Sequence, residues 1–208
     1  MIPNAGELVN RGVDCWEGGN FDQAIALYTE AIAIEPTFWE AFYNRGIAYG
    51  DKGNHDDAIG DYTAALELKP RYASLSDIYY NRANAWGKKG ELLRALVDYK
   101  QAIIHNPQSD KAYYNRGLAL LRAKIDYDGA ISDFSQAIVL NPNSSEIFNN
   151  RGAAYMSKGD FPQAITDFIR AAELDPTNPA PRHNLEVARA NKERGNLDTD
   201  GEIVLMKI

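Results

Sequence analysis

Five times along the chain a small residue, an aromatic four positions on and an alanine three beyond that recur in step. The sets are Ala24, Tyr28, Ala31; Ala58, Tyr62, Ala65; Ala95, Tyr99, Ala102; Ala130, Phe134, Ala137; and Ala164, Phe168, Ala171. Offsets of four and seven place each set on one face of an α-helix. Pro36, Pro70, Pro107, Pro142 and Pro176 follow these helices at intervals of 34, 37, 35 and 34 residues. Proline has no backbone N–H to donate and clashes with the preceding turn, so each one ends its helix. A further small residue lies 24 or 25 positions before each proline: Gly12, Gly46, Ala83, Gly117 and Gly152. Small residues at this spacing let a first helix approach the second closely, with the aromatic filling the space between. Turns such as Lys52-Gly53-Asn54 and Lys158-Gly159-Asp160 supply a glycine where the first helix must stop.

The period predicts helix-turn-helix repeats at residues 5–38, 39–72, 76–109, 110–144 and 145–178. Ala73-Ser74-Leu75 reads as an insertion in the connection before the third repeat, and one extra residue falls in the turn of the fourth, near Ile125. Residues 179–195 begin like a sixth first helix. Arg182 and Glu186 then occupy places that are apolar or small elsewhere, and Arg189, Lys192, Glu193 and Arg194 follow. This predicts a capping helix with one wetted face. Several residue types held in phase over nearly the whole chain resemble the tetratricopeptide-repeat family. The resemblance implies an all-α, right-handed superhelical α-solenoid that binds protein partners and is not an enzyme. Beyond it, residues 196–208 run from a linker-like stretch into Glu202-Ile203-Val204-Leu205-Met206-Lys207-Ile208, apolar and β-prone. Two placements of this tail stand open. It covers the exposed face of the cap, or it occupies a concave groove of its own or a neighbouring chain. The second would make the tail a pseudo-ligand; the rival to a peptide-binding adaptor is a structural scaffold module that self-associates through its ends, its convex face or this tail.

Composition narrows the partners. A formal net charge of -7 and pI near 5.0 argue against nucleic acid and against an anionic membrane surface. No apolar run approaches the 18 or so residues of a membrane span. Cys15 is the one cysteine, so no disulfide framework exists. Met1-Ile2-Pro3-Asn4 has no basic stretch leading into an apolar run, so no signal peptide and a cytoplasmic location are expected. Without that signal, the sequon Asn143-Ser144-Ser145 reads as coincidence. His55, His105 and His183 lie in different repeats, which touch only their neighbours, so they cannot converge on a metal or a catalytic site. No Gly-rich phosphate loop appears, and no cofactor is expected. Cys15 falls where Tyr49, Trp86 and Tyr155 stand in other repeats and reads as core filling.

Two polar rows run through the first helices. Arg11, Arg45, Arg82, Arg116 and Arg151 form one, and Asp61, Asp98, Asp133 and Asp167 recur on the second helices, with Leu27 breaking the series. Repeated Arg–Asp pairing that fixes helix against helix accounts for both. Immediately before each arginine stands an asparagine: Asn10, Asn44, Asn81, Asn115 and Asn150, with Asn184 at the matching place in the cap. Asparagine is a mediocre helix former whose amide competes for backbone hydrogen bonds, so six at one helical phase need a reason. In the tetratricopeptide family this place faces the concave side. The row resembles the asparagine ladder of O-linked N-acetylglucosamine transferases, which implies a grip on an extended peptide backbone. An amide can satisfy a peptide N–H and C=O together.

Tyr43, Tyr80 and Tyr114, each just before its asparagine, together with Asn84 and Lys111, are the flanking candidates. A chaperone-tail carboxylate clamp, another mode of this family, is disfavoured. Asn84 and Asn115 match its asparagines, but Tyr80, Glu146 and Asn150 stand where the clamp needs Lys, Lys and Arg. A register one repeat earlier keeps only Asn81 and Lys111.

Overall fold

The computed structural model describes residues 3–195, and all regular structure among them is α-helical. The helices are α1 (Ala5–Glu17), α2 (Phe21–Ile34), α3 (Trp39–Asp51), α4 (His55–Glu67), α5 (Tyr72–Lys88) and α6 (Leu92–His105). They continue with α7 (Asp110–Ala123), α8 (Tyr127–Leu140), α9 (Ser145–Lys158), α10 (Phe161–Leu174) and α11 (Ala180–Gly195). The sequence expectation for the tail, residues 196–208, lies outside the described residues. The chain divides within α7, between Ala119 and Leu120, into two compact units. In the first, α1 packs on α2, α3 on α4 and α5 on α6, and each pair stacks on the next; in the second, α8, α9, α10 and α11 pack in succession.

Local signals set the helix ends. Asn4 opens α1 with a capping box: Glu7 N–H donates to Asn4 Oδ1 at 2.9 Å, and the Glu7 carboxylate accepts from Asn4 N–H. Asp126 and Asp160 cap α8 and α10 through the amides of Gly129 and Gln163. Gly19, Gly53, Gly90 and Gly159 take φ between +76° and +85° in the turns inside the repeats. Lys124 takes φ +55° at the same place in the fourth.

The core is the row read from the sequence. Ala24, Tyr28, Ala31, Ala58, Tyr62, Ala65, Phe134 and Phe168 are buried, as are their counterparts in the remaining repeats. The close approach is tight enough that a Cβ at Gly46 would lie 2.8 Å from Tyr62 Cε1, and one at Gly152 2.7 Å from Phe168 Cε1. Cys15 packs against the first core cluster beside Trp16, as expected. One expectation is corrected. Ala73-Ser74-Leu75 is not part of a connection; these residues add a turn to the start of α5, which runs 17 residues from Tyr72. With no proline or glycine among them, nothing stops the helix from extending backwards.

The Arg–Asp rows do pair. Arg45 meets Asp61, Arg82 meets Asp98 and Arg151 meets Asp167, each through Nε and Nη2 to both carboxylate oxygens at 2.8 Å. The remaining guanidinium nitrogen donates backwards to a hydroxyl of the preceding repeat: Arg45 to Thr29, Arg82 to Thr63, Arg151 to Ser135. Each hydroxyl in turn donates to the carbonyl four residues earlier. One arginine thus ties its own helix pair together and joins it to the pair before. Lysines make a second link. Lys52 pairs with Asp22, Lys89 with Asp56, and Lys158 with Asp128 at 2.5 Å.

Candidate functional site

In the first unit, the asparagine row does more than line a wall. Asn81 Nδ2 donates to the Tyr43 hydroxyl at 3.0 Å, and Asn115 Nδ2 to the Tyr80 hydroxyl at 2.9 Å. Each asparagine therefore reaches the tyrosine one position before the previous repeat's asparagine. Where that tyrosine is missing, the pattern changes as the chemistry requires. Val9 holds its place in the first repeat, and Asn44 Nδ2 turns to the Glu40 carbonyl four residues back, at 2.9 Å. In the second unit Asn149 holds it, and Asn184 Nδ2 donates to Asn149 Oδ1 at 2.9 Å. Asn10 is exposed, and Asn150 is part-buried and held by an interaction of its own.

The tyrosines are anchored from behind. The Tyr43 ring lies 6.0 Å from Tyr62 and the Tyr80 ring 6.1 Å from Tyr99. Burial, with the nearby Asp77 carboxylate, pushes the Tyr43 phenol up to about 12 despite the hydrogen bond from Asn81. Tyr43 is therefore a neutral hydroxyl at ordinary pH. Its oxygen accepts from Asn81, and its O–H has no partner among the described residues. Tyr80 stands in the same relation to Asn115. Asn84, one turn beyond Asn81, accepts from the Tyr99 hydroxyl at 2.7 Å and from Asn115 Nδ2 at 3.2 Å. Tyr114 is part-buried and held by its own interactions, and Lys111 is exposed.

A pocket of about 350 Å³ opens beside this network. Ile47, Tyr62 and Ala85 give it apolar lining, Asn81 and Asn84 bring amides, and Asp51, His55 and Lys88 bring ionisable groups. Asp51 is fixed by the Trp16 indole N–H at 2.7 Å. The sequence reading had singled out Asn81 and Asn84 here but not the charged groups, which come from the inner end of α3, the start of α4 and the end of α5. The structure thus brings Tyr43, Tyr80, Asn81, Asn84 and Asn115 into one connected surface of the first unit. It leaves Asn10 out of that network. The cross-repeat tyrosine–asparagine bond was missed as well, although its signal is in the sequence. Tyrosine precedes the asparagine in the second, third and fourth repeats.

No helix among the described residues is long and apolar enough to cross a membrane, and no group of three or more His, Cys, Asp or Glu among them could hold a metal ion.

Family models described as tetratricopeptide repeat match residues 39–72, 145–178 and 80–125, and one described as TPR repeat matches 14–53 and 121–159. The search of curated proteins returned no match. Among solved structures, YrrB, described as a TPR protein with an unusual peptide-binding site, is similar with a TM-score of 0.79 and 21% identity, covering 88% of this chain and 92% of its own. MamA protein is similar at 0.76 and 26% identity, over 83% and 92%. A tetratricopeptide repeat protein from Parabacteroides merdae ATCC 43184 scores 0.76 at 22% identity, over 95% and 80%.

Proposed function

Because the chain belongs to the tetratricopeptide-repeat family, we propose that it is a protein-interaction adaptor that holds an extended segment of a partner along the Tyr–Asn surface of its first unit. The observation that carries this reading is what the cross-repeat bonds leave over. Asn81 keeps its Oδ1 and one N–H, Asn115 keeps its Oδ1, and Tyr43 and Tyr80 keep their O–H groups. Each Tyr–Asn pair therefore offers a donor beside an acceptor, in a frame already fixed by packing. A peptide backbone presents the complementary acceptor and donor. Helices pack roughly 8–10 Å apart and an extended chain advances about 3.3 Å per residue, so successive pairs meet about every third residue.

At roughly 0.5–1.5 kcal/mol per hydrogen bond, the grip is tolerant of sequence, and selectivity comes from the pocket. Its apolar lining suits a bulky apolar side chain, with Asp51, His55 and Lys88 sorting its neighbours. YrrB, which shares the fold, carries a peptide-binding site, and that supports the reading. Within the second unit, Asn150 and Asn184 are proposed to offer amides of the same chemistry, and Lys111 and Tyr114 are the further contacts proposed beside Asn115 in the first.

The test is selection of unstructured random peptides on the full chain, followed by mapping on the isotope-labelled protein. Selected peptides are expected to shift Tyr43, Ile47, Tyr80 and Asn81 resonances and to share one bulky apolar position. Peptides that shift none of these residues would overturn the proposal.

A further inference from the structure

We propose that the outer face of α6 is a second docking surface, shaped for an amphipathic helix of a partner protein whose apolar stripe is flanked by acidic residues. Leu93, Val97 and Ile104 are 68%, 62% and 51% exposed. Offsets of four and eleven set them on one face of the helix. Tyr72, 66% exposed, continues the patch, held edge-on against His105 at 4.7 Å by the added first turn of α5.

The repeat supplies its own control. At the places of Leu93, Val97 and Ile104, α4 carries Asp56, Gly60 and Glu67, and α2 carries Asp22, Ala26 and Ala33. Folding a repeat does not require apolar residues there. Leu93 in fact stands where Asp22 and Asp56 receive lysine ion pairs from the following repeat. Lys100 likewise stands where Thr29 and Thr63 receive an arginine. In the third repeat neither position carries a side-chain acceptor, and an exposed apolar stripe stands there instead.

Charge identifies the occupant. Apart from His55 at the start of α4, the acidic and basic side chains of α2 and α4 are Asp22, Glu30, Asp56, Asp57, Asp61 and Glu67, all acidic. On α6, Asp98 is buried against Arg82; Arg94, beside the stripe, is exposed and paired at 4.0 Å with Glu91 at the helix start, and Lys100, within the stripe, is exposed. In a chain of net charge -7, this is an apolar strip with a basic margin. Its complement is an apolar strip with acidic margins, and a helix presents such a strip at a matching rise per residue.

The experiment uses the full chain and two fluorescent synthetic helices of about 18 residues, identical in their leucine stripe but flanked by Glu in one and Lys in the other. The Glu helix is expected to bind at least about tenfold more tightly and to weaken with salt. Its binding should vanish in Leu93→Asp/Val97→Ser/Ile104→Glu, which gives α6 residues its sister helices already carry. Arg94→Glu/Lys100→Glu keeps the stripe and should reverse the preference toward the Lys helix. Equal affinity for both helices, or binding untouched by the triple substitution, overturns the proposal. So does light scattering in which the wild type is a dimer and the triple variant a monomer, for the face would then belong to a second copy. Because the probes are helices and the variants lie outside the Tyr–Asn surface, failure here leaves the peptide groove standing.

Discussion

Lys124 holds φ +55° where Gly19, Gly53, Gly90 and Gly159 hold φ between +76° and +85°. The left-handed conformation crowds an L side chain by roughly 1–2 kcal/mol, partly offset by the extra unfolded-state freedom of glycine. Lys124→Gly is therefore expected to stabilise the protein by about 0.5–1 kcal/mol in urea unfolding. The buried phenols make a second residue-scale prediction. Tyr28 and Tyr43 are both pushed up from 10.0 to about 12, chiefly by burial. A folded-state value above the unfolded one means the native state holds its proton more tightly. The contribution is complete below pH 10 and lost as pH rises through about 12. Urea midpoints should fall across that window, and Tyr43→Phe should flatten part of the fall.

Between elements, the bidentate arginine decides the geometry. Asp61 and Arg45 side chains are only 9% and 17% exposed, so solvent screens the pair weakly. Removing one partner leaves the other charge buried, at a cost of about 3 kcal/mol. In a double-mutant cycle, Arg45→Ala and Asp61→Ala should couple by at least about 1 kcal/mol, and additive effects would contradict the pairing.

This much was legible in the sequence, because Arg and Asp recur 16 residues apart, or 17 where the fourth repeat has its extra residue, and only their meeting keeps both satisfied. The hydroxyl that takes the third guanidinium nitrogen was not legible, since Thr29, Thr63 and Ser135 look like ordinary surface residues until the repeats stack. The asparagine row was readable as a row, and Tyr43 and Tyr80 as its neighbours. That Asn81 and Asn115 each spend an N–H on those tyrosines, and Asn115 its other on Asn84, was hidden, because the bonds cross repeats. The start of α5 was misplaced because residues 73–75 carry no capping or breaking signal, and the period alone assigned them to a loop.

Across the whole molecule the repeats absorb the glycines, alanines, aromatics, prolines and charged pairs into packing. Two surfaces of the first unit exceed what packing needs: the Tyr–Asn surface of α3, α5 and α7, and the apolar, basic face of α6. They differ in chemistry, one offering backbone-like donors and acceptors and the other an apolar strip. Each therefore calls for a different conformation of partner. The most direct measurement on the first is the affinity of one selected extended peptide for wild type and for Asn81→Ala/Asn115→Ala, at a temperature where both are folded. Loss of up to three hydrogen bonds predicts weakening of roughly tenfold to a hundredfold, with Leu93→Asp unchanged. Equal affinity of wild type and the double variant would contradict the account.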